Sequence, residues 1–284
     1  MSSASRDLRV IRFFIYLAMI FLFLLAVIPM YLMFINATRS TSEINRGISF
    51  IPGSSLIDNW KFLAAYDMKP KMYPQQGLLN SAIISISCTV LSVYFSCMTA
   101  YGLHVYRFFG RKLLWTVILI VMMLPSTLSF IGFYQFMVTL KLLDNYVPLI
   151  IPSIAAAGVV LFIRQYMSAV LSLELIDAAR IDGAGEFRIF NSVILPTIVP
   201  VMAAQAIFTF VGSWNNYFTP MILLSTMRKY TIPMLVQLLN TNLYRVELGG
   251  VYLGLAITVA PIIIFYSFLS RYIISGLSLG GVKE

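Results

Sequence analysis

The sequence predicts an all-α membrane protein with six transmembrane helices. Three observations carry the prediction: 60% of the 284 residues are apolar, only 11% are charged, and the apolar residues fall in long charge-free runs. Soluble domains average roughly 45–50% apolar and roughly 25% charged. The 20 basic and 11 acidic side chains are too few to cover a water-soluble globule of this length. An aromatic share of 14% at this charge level excludes disorder, collagen and coiled coil. Outer-membrane barrels alternate apolar and polar residues in segments of about 10, and these runs do not alternate. The net charge of +9 is scattered through loops, which points to topology and anionic lipid headgroups rather than nucleic acid. Cys88 and Cys97 stand nine residues apart in one run. On a helix that is about 13 Å, too far for a disulfide.

The spans follow in order. The first, 13–36, comes after Arg6, Arg9 and Arg12 and is too long for a signal-peptide core, so it reads as a retained helix. The second is 78–104, the third 113–140 and the fourth 147–163. The fifth starts near Ile189, and the next charge is Arg228, 39 residues on, which exceeds what one span needs. It is expected to end near Gly212, with 218–240 forming a re-entrant outer loop around Pro220 and Pro233. The sixth is 248–270. Pro125 and Pro261 are expected to kink the third and sixth spans. Gly250 and Gly254 form a small-x-x-x-small patch for close packing. Six spans put both termini on one side. The short basic segments at Arg6, Arg9 and Arg12 and at Arg107, Arg111 and Lys112 place that side in the cytoplasm.

The spans lack Asp, Glu, Lys and Arg, the groups that ion-coupled carriers use as relays and counter-ions. His104, the single histidine, ends the second span and reads as a packed side chain. The residues offer neither a metal cluster nor a nucleophile–base pair, so the chain is not expected to be an enzyme or to bind a cofactor. It has no G-x-x-x-x-G-K-[ST] loop, so uphill transport would draw its energy from another subunit.

The segment 168–190 differs from every other loop. It concentrates Glu174, Asp177, Asp182 and Glu186, four of the eleven acids, within 13 residues. Arg180 and Arg188 alternate with them. Periodicity predicts a first helix over 168–181, with Leu171, Leu175, Ala178 and Ala179 on one face. Asp182-Gly183 supplies a turn, and a second short helix follows over 184–190 with Phe187 and Phe190. A helix lying on the inner leaflet is one reading. Such helices carry Lys and Arg on the polar face, whereas four acids against two arginines would be repelled by anionic lipid. The charge favours a knob that plugs into a protein partner.

The stretch LELIDAARIDGAGEFRIFNSVILPTIVP resembles the coupling motif of ABC importer permeases, often written EAA---G. Ala178, Ala179, Asp182, Gly183, Ala184, Phe187, Leu195, Pro196 and Pro200 stand where the carbohydrate-type permeases have them. Asp177 replaces the family's Glu, and Ser172 stands where Pro is frequent. FIPGSSLIDNWKFL with NSAII, SWNNYFTPMILL with Asn216 at the family's Glu, and the tail YIISGLSLGGVKE agree, so the likeness spans about 50–284. The chain thus resembles the second, maltose-type inner-membrane subunit of a sugar importer.

That resemblance implies a type I ABC importer permease fold with cytoplasmic coupling helices. It divides the chain into an N-terminal helix and first outer loop (1–76), a core permease domain (77–275) and a cytoplasmic tail (276–284), a flexible strip at Gly276, Gly280 and Gly281. It implies a multi-pass protein of the bacterial inner membrane, surrounded by lipid. Its partners would be a second permease subunit, two cytoplasmic ATPase subunits that hold the ATP and Mg, and an extracytoplasmic solute-binding protein. Glu174, Asp177, Ala178, Ala179, Arg180, Asp182, Gly183, Ala184 and Phe187 are the expected coupling residues. For the substrate path, amides and aromatic faces suit a neutral polyol, and Tyr134, Gln135, Gln205, Trp214, Asn215 and Asn216 are the candidates. A permease for glycerol phosphate or another polyol is the second reading; a phosphorylated substrate would need basic residues along the path, with Arg228, Lys229 and Arg245 available outside it. A stand-alone secondary carrier is the third reading.

Overall fold

The structure is a computed structural model that describes residues 3–65, 74–124, 126–240 and 247–280. All its regular elements are helical. In chain order they are α1 (Ser3–Asn36), α2 (Thr41–Asn45), α3 (Leu56–Ala65), α4 (Pro74–Val105), α5 (Arg111–Met123), α6 (Ser126–Thr139) and α7 (Val147–Ile150). A 3-10 segment, Ile151–Ala155, leads into α8 (Ala157–Val170). Then come α9 (Leu173–Ile181), α10 (Glu186–Ile189), a π turn (Phe190–Ile194), α11 (Leu195–Thr197), α12 (Val199–Trp214), α13 (Phe218–Leu223), α14 (Ile232–Asn240) and α15 (Leu248–Gly280).

Among the described residues, four helical stretches are long and apolar enough to cross a membrane: Ile11–Asn36, Pro74–Val105, Val147–Val170 and Leu248–Ile273. A fifth is available if Glu186–Thr197 and Val199–Trp214 count as one bent span. The sequence reading therefore needs three corrections. The third span, expected as one helix over 113–140, is two helices of 13 and 14 residues, α5 and α6. Leu124 between them is extended (φ −75°, ψ 129°), because a residue before proline is pushed out of the helical region. Pro125 itself lies outside the described residues. The fifth span, expected as one helix from near Ile189, is not straight, since the chain bends by 81° between α11 and α12. Pro200 has no N–H for the carbonyl of Pro196, and its ring crowds that carbonyl, so a straight helix cannot pass through. The segment 276–280 is not a loose strip, since α15 continues to Gly280. Gly281 and Lys283 lie outside the described residues, as does Arg245.

The described residues form two compact units, Met1–Pro74 with Val236–Val259 and Gln75–Leu235 with Ala260–Glu284. In the first, Ser40 and Glu43 form a reciprocal capping box at the start of α2. Buried Arg39 donates to Asn36 Oδ1 at 3.0 Å and to the carbonyl of Gly47 at 3.0 Å. The glycines of α15 permit its close approach here. A Cβ on Gly249 would meet Arg39 O at 2.4 Å, and one on Gly250 would meet the Phe62 ring at 2.5 Å. Gly254 follows, 3.1 Å from Val236 Cγ2 by the same measure, so the expected small-residue patch is real and one residue wider.

In the second unit, α4 turns a buried stripe of small side chains inward: Ser81, Ser85, Thr89, Ser92, Ser96 and Ala100. Small residues at this spacing let helices pack without a hydrophobic driving force. At one end of the unit Asp144 ties two loops together. It accepts from the N–H groups of Ser225 (3.0 Å) and Thr226 (2.9 Å) and pairs with Lys229 at 2.8 Å. Burial pushes its carboxyl upward. The Lys229 ammonium and the Thr226 and Ser225 donors outweigh that and hold it well below the usual carboxylate range. Asp144 adopts φ +55°, a conformation Asp tolerates better than most residues. Asn80 of α4 adds bonds to the carbonyls of Arg228 (2.8 Å) and Tyr230 (2.9 Å).

Candidate functional site

The segment singled out in the sequence folds as a hairpin of two short helices, α9 and α10. Its first helix begins at Leu173, not at 168, because α8 runs on to Val170 and Leu171 and Ser172 are extended. Ser172 is the N-cap. Its hydroxyl accepts from the N–H of Leu175 at 3.3 Å, and Glu174 sits in the first turn beside the positive helix end. The serine that replaces a frequent proline therefore performs a starting role by another means. Restarting the helix also resets its phase. Of the expected apolar face of Leu171, Leu175, Ala178 and Ala179, only part is buried, and Leu171 is the member in the core. Ile176 is buried completely and Ala179 partly, while Leu175 and Ala178 are exposed.

The turn between the helices closes in a Schellman motif. The N–H of Ala184 bonds Ala179 O and that of Gly183 bonds Arg180 O, each at 3.0 Å. Gly183 has φ +77°, a region that costs other L-residues strain. A Cβ there would meet nothing within 4 Å, so conformation alone, not space, demands glycine. The second helix is shorter than the expected 184–190. Its α-helical part is Glu186–Ile189, and from Phe190 it widens into the π turn ahead of Pro196.

One carboxylate fixes this hairpin to α4. Glu186 Oε1 accepts from Arg180 Nε at 2.8 Å. Its Oε2 accepts from Tyr101 Oη at 3.1 Å and from Tyr106 Oη. Arg180 also reaches Asp177 at 3.1 Å. Beneath this polar hub Phe190 packs against Tyr101 (5.5 Å between ring centroids) and edge-on against Tyr94 (5.7 Å). Ile176, Ile189 and Ile194 are wholly buried in one cluster with Cys97, Leu103, Ile163 and Met167. Each such side chain contributes about 1.5–3 kcal/mol, so the hairpin is rigidly seated on α4 and α8. The opposite surface is open. Phe187 is 73% and Ile181 86% exposed, and Glu174, Asp177, Ala178, Asp182 and Gly183 are exposed around them. Ala184 is half-buried at the turn. Two large apolar side chains thus stand exposed on a tight knob among four acids.

The candidate substrate residues do not converge. Gln205 is buried on α12 and lines a cavity of 790 Å³ between α8 and α12. Tyr166 and Thr209 line it too, and the sequence reading missed both. Trp214 is buried, stacked on Phe210 at 5.4 Å, and lines a separate apolar cavity of 480 Å³. Asn215 is exposed at the end of α12. Asn216 is exposed and exchanges hydrogen bonds with Thr219 at the start of α13. Tyr134 and Gln135 lie on α6, outside the described lining of the 790 Å³ cavity. Tyr101, Tyr106 and Ile176, which seat the hairpin, were also missed. The tyrosines stand 70 or more residues from Glu186, and nothing local marks them as its partners.

Comparison with known proteins adds four findings. Residues 92–278 match the model of a family described as the binding-protein-dependent transport system inner membrane component. The arabinooligosaccharides transport system permease protein of Halalkalibacterium halodurans is 36% identical to this chain over 274 residues, 93% of each. The lactose transport system permease protein of Rhizobium radiobacter is 31% identical, covering 91% of this chain and 92% of its own. In fold, the chain is similar to one in the crystal structure of a bacterial ABC transporter involved in the import of the acidic polysaccharide alginate. There the TM-score is 0.79 at 23% identity, covering 96% of this chain and 98% of that one.

Proposed function

We propose that this chain, which belongs to the family of binding-protein-dependent transport system inner membrane components, is the permease subunit of an ATP-driven importer for a neutral sugar or oligosaccharide. The observation that carries the reading is the hairpin: a knob seated on two long helices by Glu186 and Ile176, with Ile181 and Phe187 directed outward. The relatives' sugar substrates support the substrate class. So does the 790 Å³ cavity, whose described lining carries Gln205, Thr209 and Tyr166 but no charged side chain, chemistry that suits hydroxyls better than a phosphate.

In this reading six crossings are made by α1, α4, α5 with α6 as a broken third, the stretch from α7 to α8, α12 and α15. Both termini and the hairpin lie in the cytoplasm. A second permease completes the pathway, a solute-binding protein delivers the sugar outside, and two ATPase subunits hold the ATP and Mg. Closure of the ATPase pair moves the knob, and the seat passes the displacement to α4 and α8. The acids and arginines of the hairpin set its register in the ATPase cleft more than its affinity.

The test is Gly183→Asp, assayed in proteoliposomes holding both permeases, the ATPase pair and the binding protein. Forcing Asp to φ +77° costs about 1 kcal/mol, and the added charge sits on the docking face. The variant is expected to insert at the ordinary level, lose capture of the ATPase subunit and lose sugar uptake. Uptake at the unaltered rate would refute the coupling role.

A further inference from the structure

A second cluster lies near the hairpin, at the junction of α4, α5 and α8, and the transport reading does not use it. Arg164 of α8 lays its guanidinium over Trp115 of α5, 3.9 Å from the ring centroid. Its Nε is buried and has no hydrogen-bond partner among the described residues, and the same holds for His104 Nε2 at the end of α4. Arg111 lies within electrostatic range of both. It opens α5 together with Lys112, after a Gly110 N-cap that gives no side-chain bond. Two cations in the first turn of a helix oppose its dipole. The Arg111 N–H is bonded to the Phe108 carbonyl at 3.3 Å, and the remaining first-turn N–H groups favour negative charge. Among the described residues no carboxylate forms an ion pair with Arg111, Lys112 or Arg164. Arg111 Nη1 donates to the Tyr106 carbonyl at 3.2 Å, but the cluster still gathers cations, helix N–H groups and an orphaned guanidinium N–H with no carboxylate paired to them among the described residues.

The surroundings say what the anion is. Phe108 is half exposed and Phe109 fully exposed beside the cations, and α5 continues from them with Leu113, Val117 and Ile120 exposed. A headgroup held by the cations would direct its acyl chains along this apolar surface, whereas a free phosphate would gain nothing from it. We propose that Arg111, Lys112 and Arg164 bind the phosphate of an anionic phospholipid, with Phe108 and Phe109 inserted beside it at the membrane interface. This site depends on membrane insertion and not on which solute is carried.

The experiment is native mass spectrometry of the full chain in detergent, titrated with phosphatidylglycerol, phosphatidylcholine or inorganic phosphate. Phosphatidylglycerol is expected to be retained preferentially. Lys112→Gln, at an exposed position that cannot unfold the chain, should weaken it roughly fivefold, as expected for about 1 kcal/mol per cation near an anionic surface. Arg164→Gln should weaken it further, with phosphatidylcholine retention unchanged in both. Equal retention of the two lipids, or phosphatidylglycerol retention unaltered in Lys112→Gln, would overturn the proposal. Displacement of the lipid by millimolar inorganic phosphate would overturn it as well, leaving a free-anion site.

Discussion

Two carboxylates organise the two ends of the second unit, and they do it differently. Asp144 is saturated: two backbone N–H groups, a hydroxyl and an ammonium converge on it, and it closes a loop junction. Glu186 has three side-chain donors, Arg180, Tyr101 and Tyr106, and the helix it fixes carries Phe187 into the open. The first arrangement locks a surface; the second, in the proposed function, holds a lever. A hydrogen-bonded hub reveals little of its purpose until the face opposite it is read.

The contrast can be broken most severely at the seat of the lever. Ile176→Ala removes a wholly buried side chain and should cost about 2–5 kcal/mol. Amide exchange of 173–190 should rise while that of 140–146 stays unchanged. Protection lost equally at both places would mean that the two ends form one cooperative unit. Asp144→Asn comes next. It leaves the Lys229 ammonium unpaired and disturbs two backbone bonds, a loss of about 1–3 kcal/mol, visible as a lower midpoint in thermal unfolding. Uptake per folded molecule should survive, because the clasp is not part of the lever.

Glu186→Gln should reverse that pattern. The Glu186–Arg180 pair is about half exposed, so stability should fall by only about 0–1 kcal/mol. Sugar moved per ATP hydrolysed should drop several-fold as the seat loosens. A variant that lost stability but kept its coupling ratio would make the hub merely structural. The smallest effect is that of pH. The folded pKa of Asp144 is depressed, so its stabilisation is complete above the ordinary value of 3.8 and declines only as pH falls below it toward the folded value. Asp144→Asn should therefore flatten the acid limb below about pH 4 of the unfolding curve and leave the neutral region parallel to that of the unmutated chain.

Composition and charge-free runs were enough to give an all-helical membrane chain, and Asp182-Gly183 was enough to place the turn at which α9 ends. Gly183 was legible because a positive φ is a local requirement that only a few residue types meet. The acidic hairpin stood out because four acids would conflict with an anionic lipid surface. Other features needed the third dimension. The phase of α9, which buries Ile176 rather than Leu175, was decided by Ser172 restarting the helix. The 81° bend before α12 came from Pro200, whose missing N–H acts on the carbonyl one turn earlier. Tyr101 and Tyr106 meet Glu186, and Trp115 meets Arg164, across distances in the chain that carry no periodicity. The sequence by itself therefore determined which segments are helical and which of them avoid water, because those depend on neighbours within a turn. Only the tertiary structure decided which side chains face each other, because packing and long-range hydrogen bonds are settled by whole helices coming together.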